Sequence, residues 1–202
     1  MITPDFTHPN RQSWERRYAT DAYVFGTRPE PFLTTSLAPL PAGAQVLALG
    51  AGEGRNEAWL TERGIHAHLV DLSARGLAKA VALAIDNPGR LTTEVADLTA
   101  YEWPRDRYDA VTWMYAHFPP GASRSIFAGA AAALRPGGLL VGSVFADHTG
   151  ADADGARVPT RYRDVDLEAW GAGGRFEALR YGTKRRGARP PERTLQWAWR
   201  RR

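Results

Sequence analysis

Apolar runs of strand length alternate with amphipathic segments of helix length from Ala44 onward. The first run, Gln45–Leu49, is almost continuously apolar, which is typical of a strand in a sheet that is covered on both faces. Strands that alternate with helices in this way predict βαβ units around a mostly parallel sheet. The predicted strands are 45–49, 66–71, 91–96, 108–115 and 139–145, and the predicted helices between them span about 53–63, 73–86 and 123–134.

The C-terminal part of the chain has a different pattern. The segment 147–162 is polar and contains glycine, which predicts a mobile loop over a site. Residues 176–183 and 194–200 predict two strands, and the short basic turn 184–193 between them favours antiparallel pairing. The pattern therefore predicts one Rossmann-like α/β domain, with a mixed seven-stranded sheet that ends in an antiparallel hairpin and with helices on both faces.

Length and composition narrow the class of protein. A chain of 202 residues suits one sizeable domain, and the absence of cysteine excludes both a disulfide framework and a thiolate nucleophile. The N-terminus lacks the pattern of a secretory signal, and no apolar run approaches the roughly 18–20 residues that span a bilayer. We therefore expect a soluble, cytoplasmic protein without a membrane partner.

The net charge of +4 is unevenly distributed. Residues 157–202 carry 13 Arg or Lys against 5 Asp or Glu, and such a basic region can bind nucleic acid or an acidic substrate. Lysine, however, occurs only at Lys79 and Lys184, so arginine is the general cation of this chain and its use in the tail is weak evidence for function. We do not expect a nucleic acid as the partner, although it stays an alternative.

A glycine-rich turn, LGAGEGRN at 49–56, follows the first predicted strand and opens a helix. Glycines permit a tight turn and let a ligand approach the backbone amides closely. A dinucleotide fingerprint has glycine at its first, third and sixth positions, but the sixth position counted from Gly50 is Arg55, and the glycine falls fifth, at Gly54. This spacing favours S-adenosylmethionine over a dinucleotide.

Acidic residues end the next two predicted strands. Asp71 ends the second strand, where a carboxylate can accept hydrogen bonds from both ribose hydroxyls, and Asp97 ends the third, where it can accept one from the adenine amino group. Either aspartate alone would more often be a helix cap or a solvated turn residue. Because parallel sheets bind ligands at the carboxyl ends of their strands, the turn and the two carboxylates together predict one binding site.

Several stretches resemble a known class of enzymes. VLALGAGEGRN (46–56), VDLS (70–73), VADL (95–98), RYDAV (107–111) and ALRPGGLLV (133–141) are similar to class I S-adenosylmethionine-dependent methyltransferases. WERRYATDAYVFGTRPEPFL (14–33) resembles the tellurite-resistance methyltransferase group, relatives of thiopurine S-methyltransferases, in which this segment lies over the cofactor. The resemblance covers about residues 14–145. It implies a helical lid segment at 1–43 and a methyltransferase domain at 44–202.

The resemblance also implies a set of cofactor-binding residues. They are Tyr18, Phe25 and Gly26 near the lid, Gly50, Ala51, Gly52, Glu53, Gly54 and Asn56 at the turn, Asp71 and Leu72 at the ribose, Asp97 and Leu98 at the adenine, and Trp113 and Met114 near the methionine tail and sulfonium. An aromatic face beside a sulfonium is favourable through cation–π attraction. For Trp113 and Phe25, ordinary core packing is an equal alternative.

One position departs from the group. An acidic residue usually stands two positions before the first glycine, and here that residue is Ala48. Losing a charged hydrogen bond can weaken binding by roughly 1.5–3 kcal/mol. We expect Glu53, near this position, to replace the missing carboxylate in part. The alternative is a protein that has kept the fold and no longer transfers methyl groups.

Methyl transfer needs a general base only when the nucleophile arrives protonated. His117, after the fourth predicted strand, is the first candidate base because a histidine with a pKa near 6.5 can accept a proton at neutral pH. Tyr115 is a candidate to orient the acceptor, and Asp147 with His148 is a second, weaker pair. Solvated or local hydrogen-bonding roles are the alternatives. No metal site is expected, because His66 and His68 share a strand face without a further ligand nearby.

The sequence thus predicts an enzyme that binds S-adenosylmethionine, releases S-adenosylhomocysteine and methylates a sulfur, chalcogen or oxygen atom of a small molecule. A repurposed, non-methylating protein is one alternative, which Ala48 suggests, and an RNA methyltransferase is another, which the arginine-rich tail suggests.

Overall fold

The computed structural model describes residues 9–118, 121–146, 148–151, 157–160, 175–186 and 192–202. Its helices and strands, in chain order, are α1 (Pro9–Arg17), α2 (Pro31–Leu37), β1 (Gln45–Leu49), α3 (Arg55–Glu62), β2 (His66–Asp71), α4 (Ala74–Leu83), β3 (Leu91–Val95), a 3-10 helix (Leu98–Ala100), β4 (Tyr108–Met114), α5 (Ala122–Ala133), β5 (Leu134–Ala146), β6 (His148–Ala151), β7 (Arg157–Thr160), β8 (Phe176–Arg186) and β9 (Glu192–Arg201).

Seven of the strands form one sheet in the order β3-β2-β1-β4-β5-β9-β8. The first five strands of the chain pair in parallel, whereas β9 pairs antiparallel with both β5 and β8. The predicted Rossmann-like fold, with a mixed seven-stranded sheet and a C-terminal antiparallel hairpin, is confirmed. Strand order reverses at β1 and β4, so the carboxyl ends of these two strands open onto the crevice where such sheets bind ligands.

The predicted ends of several elements differ from the observed ones. Helix α3 begins at Arg55 rather than at 53, because Gly54 before it is left-handed at φ 74°. Helix α4 ends at Leu83, three residues before the predicted end. Strand β5 follows α5 directly and includes the predicted turn at 135–138, since Leu134 pairs with Tyr108 before a bulge in the register.

The segment 147–162 is not only a loop, as its polar composition predicted. Strands β6 and β7 pair antiparallel within it, with His148 opposite Thr160 and Ala151 opposite Arg157. Backbone amides and carbonyls form hydrogen bonds whatever the polarity of the side chains, so the polar composition of the segment did not predict this hairpin. The remaining positions of that segment, including Asp147, lie outside the described residues.

Both faces of the sheet are covered. Leu47 and Leu49 of β1 pack into a core with Ile126 of α5, whereas Val46 packs with Leu33 of α2 on the opposite face. Because successive side chains of a strand point to opposite faces, this alternation gives the sheet two separate cores. None of the helices among the described residues is long and apolar enough to cross a membrane.

Local signals fix the starts of the helices near the carboxyl ends of the parallel strands. Pro31 begins α2, a position that suits the fixed φ of proline. Ser73 caps α4 as its composition predicts, since its hydroxyl accepts a hydrogen bond from the Gly76 amide at 3.1 Å. A second, long-range cap comes from α1, where the Glu15 carboxylate accepts a hydrogen bond from the Ala74 amide at 2.6 Å.

Candidate cofactor site

The glycine turn follows β1 in a conformation that requires glycine. Gly50, Gly52 and Gly54 have φ angles of 60°, 55° and 74°, all in the left-handed region. A Cβ atom on Gly50 would lie 2.6 Å from the Cβ of Ala116, and one on Gly54 would overlap Ala80. The backbone of the turn is therefore packed too closely for any side chain at these positions.

Asp71 ties this turn to the end of β2. Its carboxylate accepts hydrogen bonds from the Gly52 amide at 2.8 Å and from the Ser73 amide at 2.9 Å. Burial raises the pKa of Asp71 above its usual range, and these two amide donors oppose that rise. Each carboxylate oxygen has a further lone pair, so the group can still accept hydrogen bonds from a ligand.

Asp97 lies beside Asp71 at the same edge of the sheet. The strands β2 and β3 pair at Asp71 and Val95, and the Ala96 amide donates to the Asp71 carbonyl at 3.1 Å. Asp97 caps the 3-10 helix by accepting a hydrogen bond from the Thr99 amide at 2.8 Å. Leu98 is buried next to it, and Leu72 is half-buried. The structure thus brings together Asp71 and Asp97, the two carboxylates that are predicted to bind the ribose and the adenine.

Tyr18 covers the turn from the N-terminal segment. This side chain is 6% exposed, and a Cβ on Gly52 would lie 2.7 Å from its hydroxyl oxygen. Its ring also contacts Gly76, where a Cβ would come within 3.0 Å. Burial first, and then the charges of Asp71 and Glu53, raise the pKa of Tyr18, so the hydroxyl stays protonated and can donate a hydrogen bond at neutral pH.

Glu53 and Lys79 join the N-terminal segment to the turn. Glu53 is 4% exposed, and its carboxylate forms an ion pair with the Lys79 ammonium. The same ammonium donates to the carbonyls of Thr20 at 2.9 Å and Ala22 at 2.7 Å, while the second Glu53 oxygen accepts the Phe25 amide at 3.4 Å. The Glu53 carboxylate therefore binds Lys79 and the N-terminal segment, and its replacement of the carboxylate missing at position 48 stays a prediction.

The start of α3 makes two more contacts with this segment. The Asn56 side-chain oxygen accepts a hydrogen bond from the Glu30 amide at 2.8 Å, so this buried residue fixes the entry to α2. Arg55 donates to the Phe25 carbonyl at 3.3 Å. Asn56 thus holds the N-terminal segment, and the ligand contact that the resemblance implies for it stays a prediction.

Phe25 is not a core residue. Its ring is 47% exposed, and the Arg17 guanidinium lies 5.0 Å from its centroid and 5.3 Å from that of Trp14. Gly26 after it has a φ of 68°, in the left-handed region that favours glycine. This arrangement excludes the core-packing alternative for Phe25 and leaves the aromatic ring at the rim of the N-terminal segment.

Trp113 is a core residue, so the structure favours the core-packing alternative for its side chain. The side chain is 0% exposed, and its indole N–H donates to the Ala116 carbonyl at 2.8 Å. Its ring packs edge-on against Phe118 and Trp197. Met114, on the other face of β4, packs partly buried against the core of α2. An apolar run at a strand end does not reveal which side chains face inward, and for this reason the sequence left both options open.

Tyr115 and His117 meet at Phe145, which the sequence reasoning did not single out. Their ring centroids lie 5.0 Å and 5.9 Å from that of Phe145, and the His117 ring is stacked at 6°. Tyr115 has a φ of 58°, unusual for a non-glycine residue, and its amide donates to the Ser143 carbonyl at 2.7 Å. Strained backbone of this kind clusters at functional sites.

Two points remain, the candidate pair Asp147 with His148 and the side chains that could bind a metal ion. The side chains of Asp147 and His148 lie outside the described residues. The described part of the chain contains no group of three or more His, Cys, Asp or Glu side chains placed to hold a metal ion.

The sequence matches a known family over the part that builds this edge. Residues 46–138 match the family model of a methyltransferase domain. This range includes the glycine turn, Asp71, Asp97 and β4. A comparison with curated protein sequences gave no match.

Solved structures share the fold. The N-methyltransferase NodS from Bradyrhizobium japonicum WM9, in complex with S-adenosyl-L-homocysteine, has a TM-score of 0.74 at 16% identity, over 95% of this chain and 98% of that one. The 1,6-didemethyltoxoflavin-N1-methyltransferase of Burkholderia thailandensis, with 1,6-didemethyltoxoflavin and S-adenosylhomocysteine bound, has a TM-score of 0.66 at 23% identity, over 85% and 77%. The [4+2]-cyclase SpnF has a TM-score of 0.69 at 15% identity, over 84% and 79%.

Proposed function

We propose that this protein is an S-adenosylmethionine-dependent methyltransferase that methylates a sulfur, chalcogen or oxygen atom of a small molecule, because residues 46–138 match the family model of a methyltransferase domain. The observation that carries the proposal is the Asp71 carboxylate, which holds the Gly52 amide at 2.8 Å beneath the Tyr18 hydroxyl. The segment 14–33 supports a closer relation to the tellurite-resistance and thiopurine methyltransferases. A cytoplasmic location is part of the same proposal and agrees with the absence of cysteine.

The residues at this edge suit the parts of S-adenosylmethionine. Asp71 with Leu72 would hold the ribose, and Asp97 with Leu98 would frame the adenine. The backbone from Gly50 through Ala51 to Gly54 would line the methionine end, because the turn accepts no Cβ atom at its glycines and so lets a ligand approach closely.

The segment 9–30 acts as the lid of this site in our proposal. Five contacts support this role: Glu15 binds the first turn of α4, Tyr18 covers Gly52, the Phe25 amide binds Glu53 of the turn, the Glu30 amide binds Asn56 of α3, and Lys79 binds the carbonyls of Thr20 and Ala22. Helix α2 has a different role, because its Leu33 and Leu37 are fully buried in the core. A lid of this kind excludes water and fixes the donor, which is most of what a methyltransferase must do.

The acceptor would bind beside Tyr115, His117 and Phe145. When bound, S-adenosylmethionine supplies an already activated methyl group. The protein then has to align the nucleophile with that group, and His117 can take the proton of a hydroxyl acceptor at neutral pH. A thiolate or a reduced chalcogen anion needs no such base. Phe145 offers both side chains a flat apolar surface, which suits an acceptor with an aromatic or polarisable part.

Turnover experiments test the proposal directly. Purified protein with S-adenosylmethionine is offered a panel of thiols, phenols and chalcogen oxyanions, and S-adenosylhomocysteine is measured. We expect turnover with at least one class and its loss in Asp71→Ala. Stoichiometric binding of S-adenosylmethionine without turnover on any acceptor class contradicts the proposal.

A second candidate is a repurposed cofactor-fold protein without methyl transfer. Ala48 favours it, and the [4+2]-cyclase SpnF, whose fold is similar, is a protein of this fold described by another reaction. The RNA methyltransferase alternative has the exposed Arg180 and Lys184 on edge strand β8 in its favour. Binding of bulk RNA that survives physiological salt would support it, because non-specific phosphate contacts weaken steeply with salt.

A further inference from the structure

Glu57 is a buried acid that none of the roles above uses. It lies in the first turn of α3 and is 2% exposed. Its Oε2 atom has no hydrogen-bond partner among the described residues, and the only hydrogen bond that lowers its pKa comes from its own backbone amide. An unpartnered buried carboxyl group is unfavourable, so a partner is expected here that the described residues do not provide.

The position of Glu57 follows from the face of α3 that it shares with Leu60. Residues three apart lie on one side of a helix, and Leu60 packs in the same core as Val46 of β1. The helix runs back along β1, so Glu57 is one turn closer than Leu60 to the carboxyl end of the strand. On the same face of β1, two residues beyond Val46, stands Ala48, which is small and uncharged. Glu57 thus lies in the first helical turn after Gly54, close enough to Asp71 for the charge of that carboxylate to act on it.

The charges around Glu57 agree with this placement. Burial is the largest cause that raises the pKa of Glu57 to about 7, while Arg55 lowers it and Asp71 raises it. Arg55 does not pair with Glu57 directly, because its guanidinium reaches the Phe25 carbonyl and Glu30. The other acid of the turn, Glu53, is paired with Lys79. Glu57 therefore differs from Glu53 and Asp71 in that one of its carboxyl oxygens, Oε2, has neither a cation nor an amide donor among the described residues.

We propose that Glu57 binds the α-ammonium group at the methionine end of the cofactor. A carboxylate and an ammonium form a charge-assisted hydrogen bond, which is stronger than a neutral one. This bond offsets the free-energy cost of burying the carboxyl group. The negative charge that Ala48 does not supply then comes from the first turn of α3. This assignment rests on S-adenosylmethionine as the cofactor and is independent of the acceptor.

Calorimetric titration of Glu57→Gln with two ligands tests the assignment. S-adenosylhomocysteine carries the ammonium group, whereas 5′-methylthioadenosine has the same adenosine and a thioether but no amino-acid part. We expect the variant to bind S-adenosylhomocysteine about tenfold or more weakly and 5′-methylthioadenosine within about twofold of the unmodified protein. Glu62→Gln, an exposed acid of the same helix, is the matched control and changes neither.

The number of protons released on ligand binding is a second measurement, and it would not depend on Glu57 if the role of this residue were purely structural. An ammonium partner favours the ionised carboxyl group, so binding near pH 7 expels the proton that Glu57 carries. Titrations in buffers of different ionisation enthalpy should show more proton release from the unmodified protein than from Glu57→Gln.

The outcomes distinguish a failure of the cofactor assignment from a failure of the role proposed for Glu57. If the unmodified protein binds neither ligand, the cofactor assignment itself fails. If it binds both and Glu57→Gln weakens them equally or not at all, or releases the same number of protons, only the role of Glu57 is overturned.

Discussion

Lys79 pairs with Glu53 at a point where the N-terminal segment, α4 and the glycine turn meet. The lysine side chain is 17% exposed and that of the glutamate 3%, so the pair is largely withdrawn from water. The lysine also binds two backbone carbonyls of the segment. A single ammonium group therefore holds the proposed lid to the glycine turn.

Replacing this lysine should loosen the lid. In Lys79→Met the Glu53 carboxylate stays buried without its cation, a change that typically destabilises a protein by about 3–5 kcal/mol. We expect faster amide hydrogen exchange in residues 18–26 and weaker S-adenosylhomocysteine binding. Lys184→Met, the other lysine of the chain, is exposed and serves as the control. Unchanged exchange in the lid segment would show that this pair does not hold it.

A methyl group on Gly52 should interfere with closure of the lid. In Gly52→Ala the new Cβ would lie 2.7 Å from the Tyr18 hydroxyl, in addition to the strain of a positive φ. Gly43→Ala has similar backbone strain, at φ 82°, but nothing within 4 Å of its Cβ. We expect Gly52→Ala to lose more stability and more cofactor affinity than Gly43→Ala, as measured by denaturant unfolding and calorimetry.

The hydroxyl of Tyr18 is the specific obstacle in that variant. Tyr18→Phe removes this atom, so the double variant Gly52→Ala with Tyr18→Phe should recover part of the lost unfolding free energy. A double-mutant cycle measures the coupling, which for residues in contact is about 0.5–3 kcal/mol. Strictly additive effects would show that the two residues do not touch.

His117 should matter only for protonated acceptors. For a hydroxyl acceptor we expect His117→Gln to lower kcat by about 10²–10⁴, the usual contribution of a general base. For an acceptor that is already a thiolate, kcat should change little. Tyr115→Phe is the companion variant, and its loss should show mainly in KM if Tyr115 orients the acceptor. Equal kcat values for a phenol in the variant and in the unmodified protein would remove His117 from the mechanism.

Glu57 should make the protein less stable as pH rises. Its folded-state pKa is about 7, above the ordinary value of 4.5, so the folded state holds this proton more tightly than the unfolded chain. Stability from this group is therefore present below about pH 4.5 and lost as pH rises to 7, by an amount on the order of 3 kcal/mol. Denaturant unfolding at pH 5 and pH 8 should show this loss, and Glu57→Gln should reduce it. Equal pH dependence in both proteins would mean that Glu57 does not titrate in this range.

The turn and its two aspartates were predictable because their signals are local. Glycine spacing after a buried strand and an acid at the next strand ends both report on the sheet edge, and the structure joins Gly52 to Asp71 there. The contacts of Lys79 were not predictable, because their partners Thr20 and Ala22 stand 59 and 57 positions earlier in the chain and no local pattern marks them.

The roles of the acids near the turn depend on where α3 begins. The sequence pattern starts this helix at 53, whereas the left-handed Gly54 delays it to Arg55. This shift leaves Glu53 in the turn, where it meets Lys79, and puts Glu57 on the inward face of the helix. Trp113 shows a related limit, since the apolar pattern of β4 is the same whether a ring faces the core or a ligand.

Calorimetric titration with S-adenosylhomocysteine, repeated on Asp71→Ala, tests the central claim most directly. The account predicts saturable one-to-one binding by the unmodified protein and binding at least about tenfold weaker in the variant, since a charged hydrogen-bond acceptor at the ribose is lost. Asp71→Asn, which keeps one acceptor oxygen, should fall between them, and the exposed Asp86→Ala should bind normally. Equal affinity in the unmodified protein and in Asp71→Ala, with both folded by circular dichroism, would contradict it.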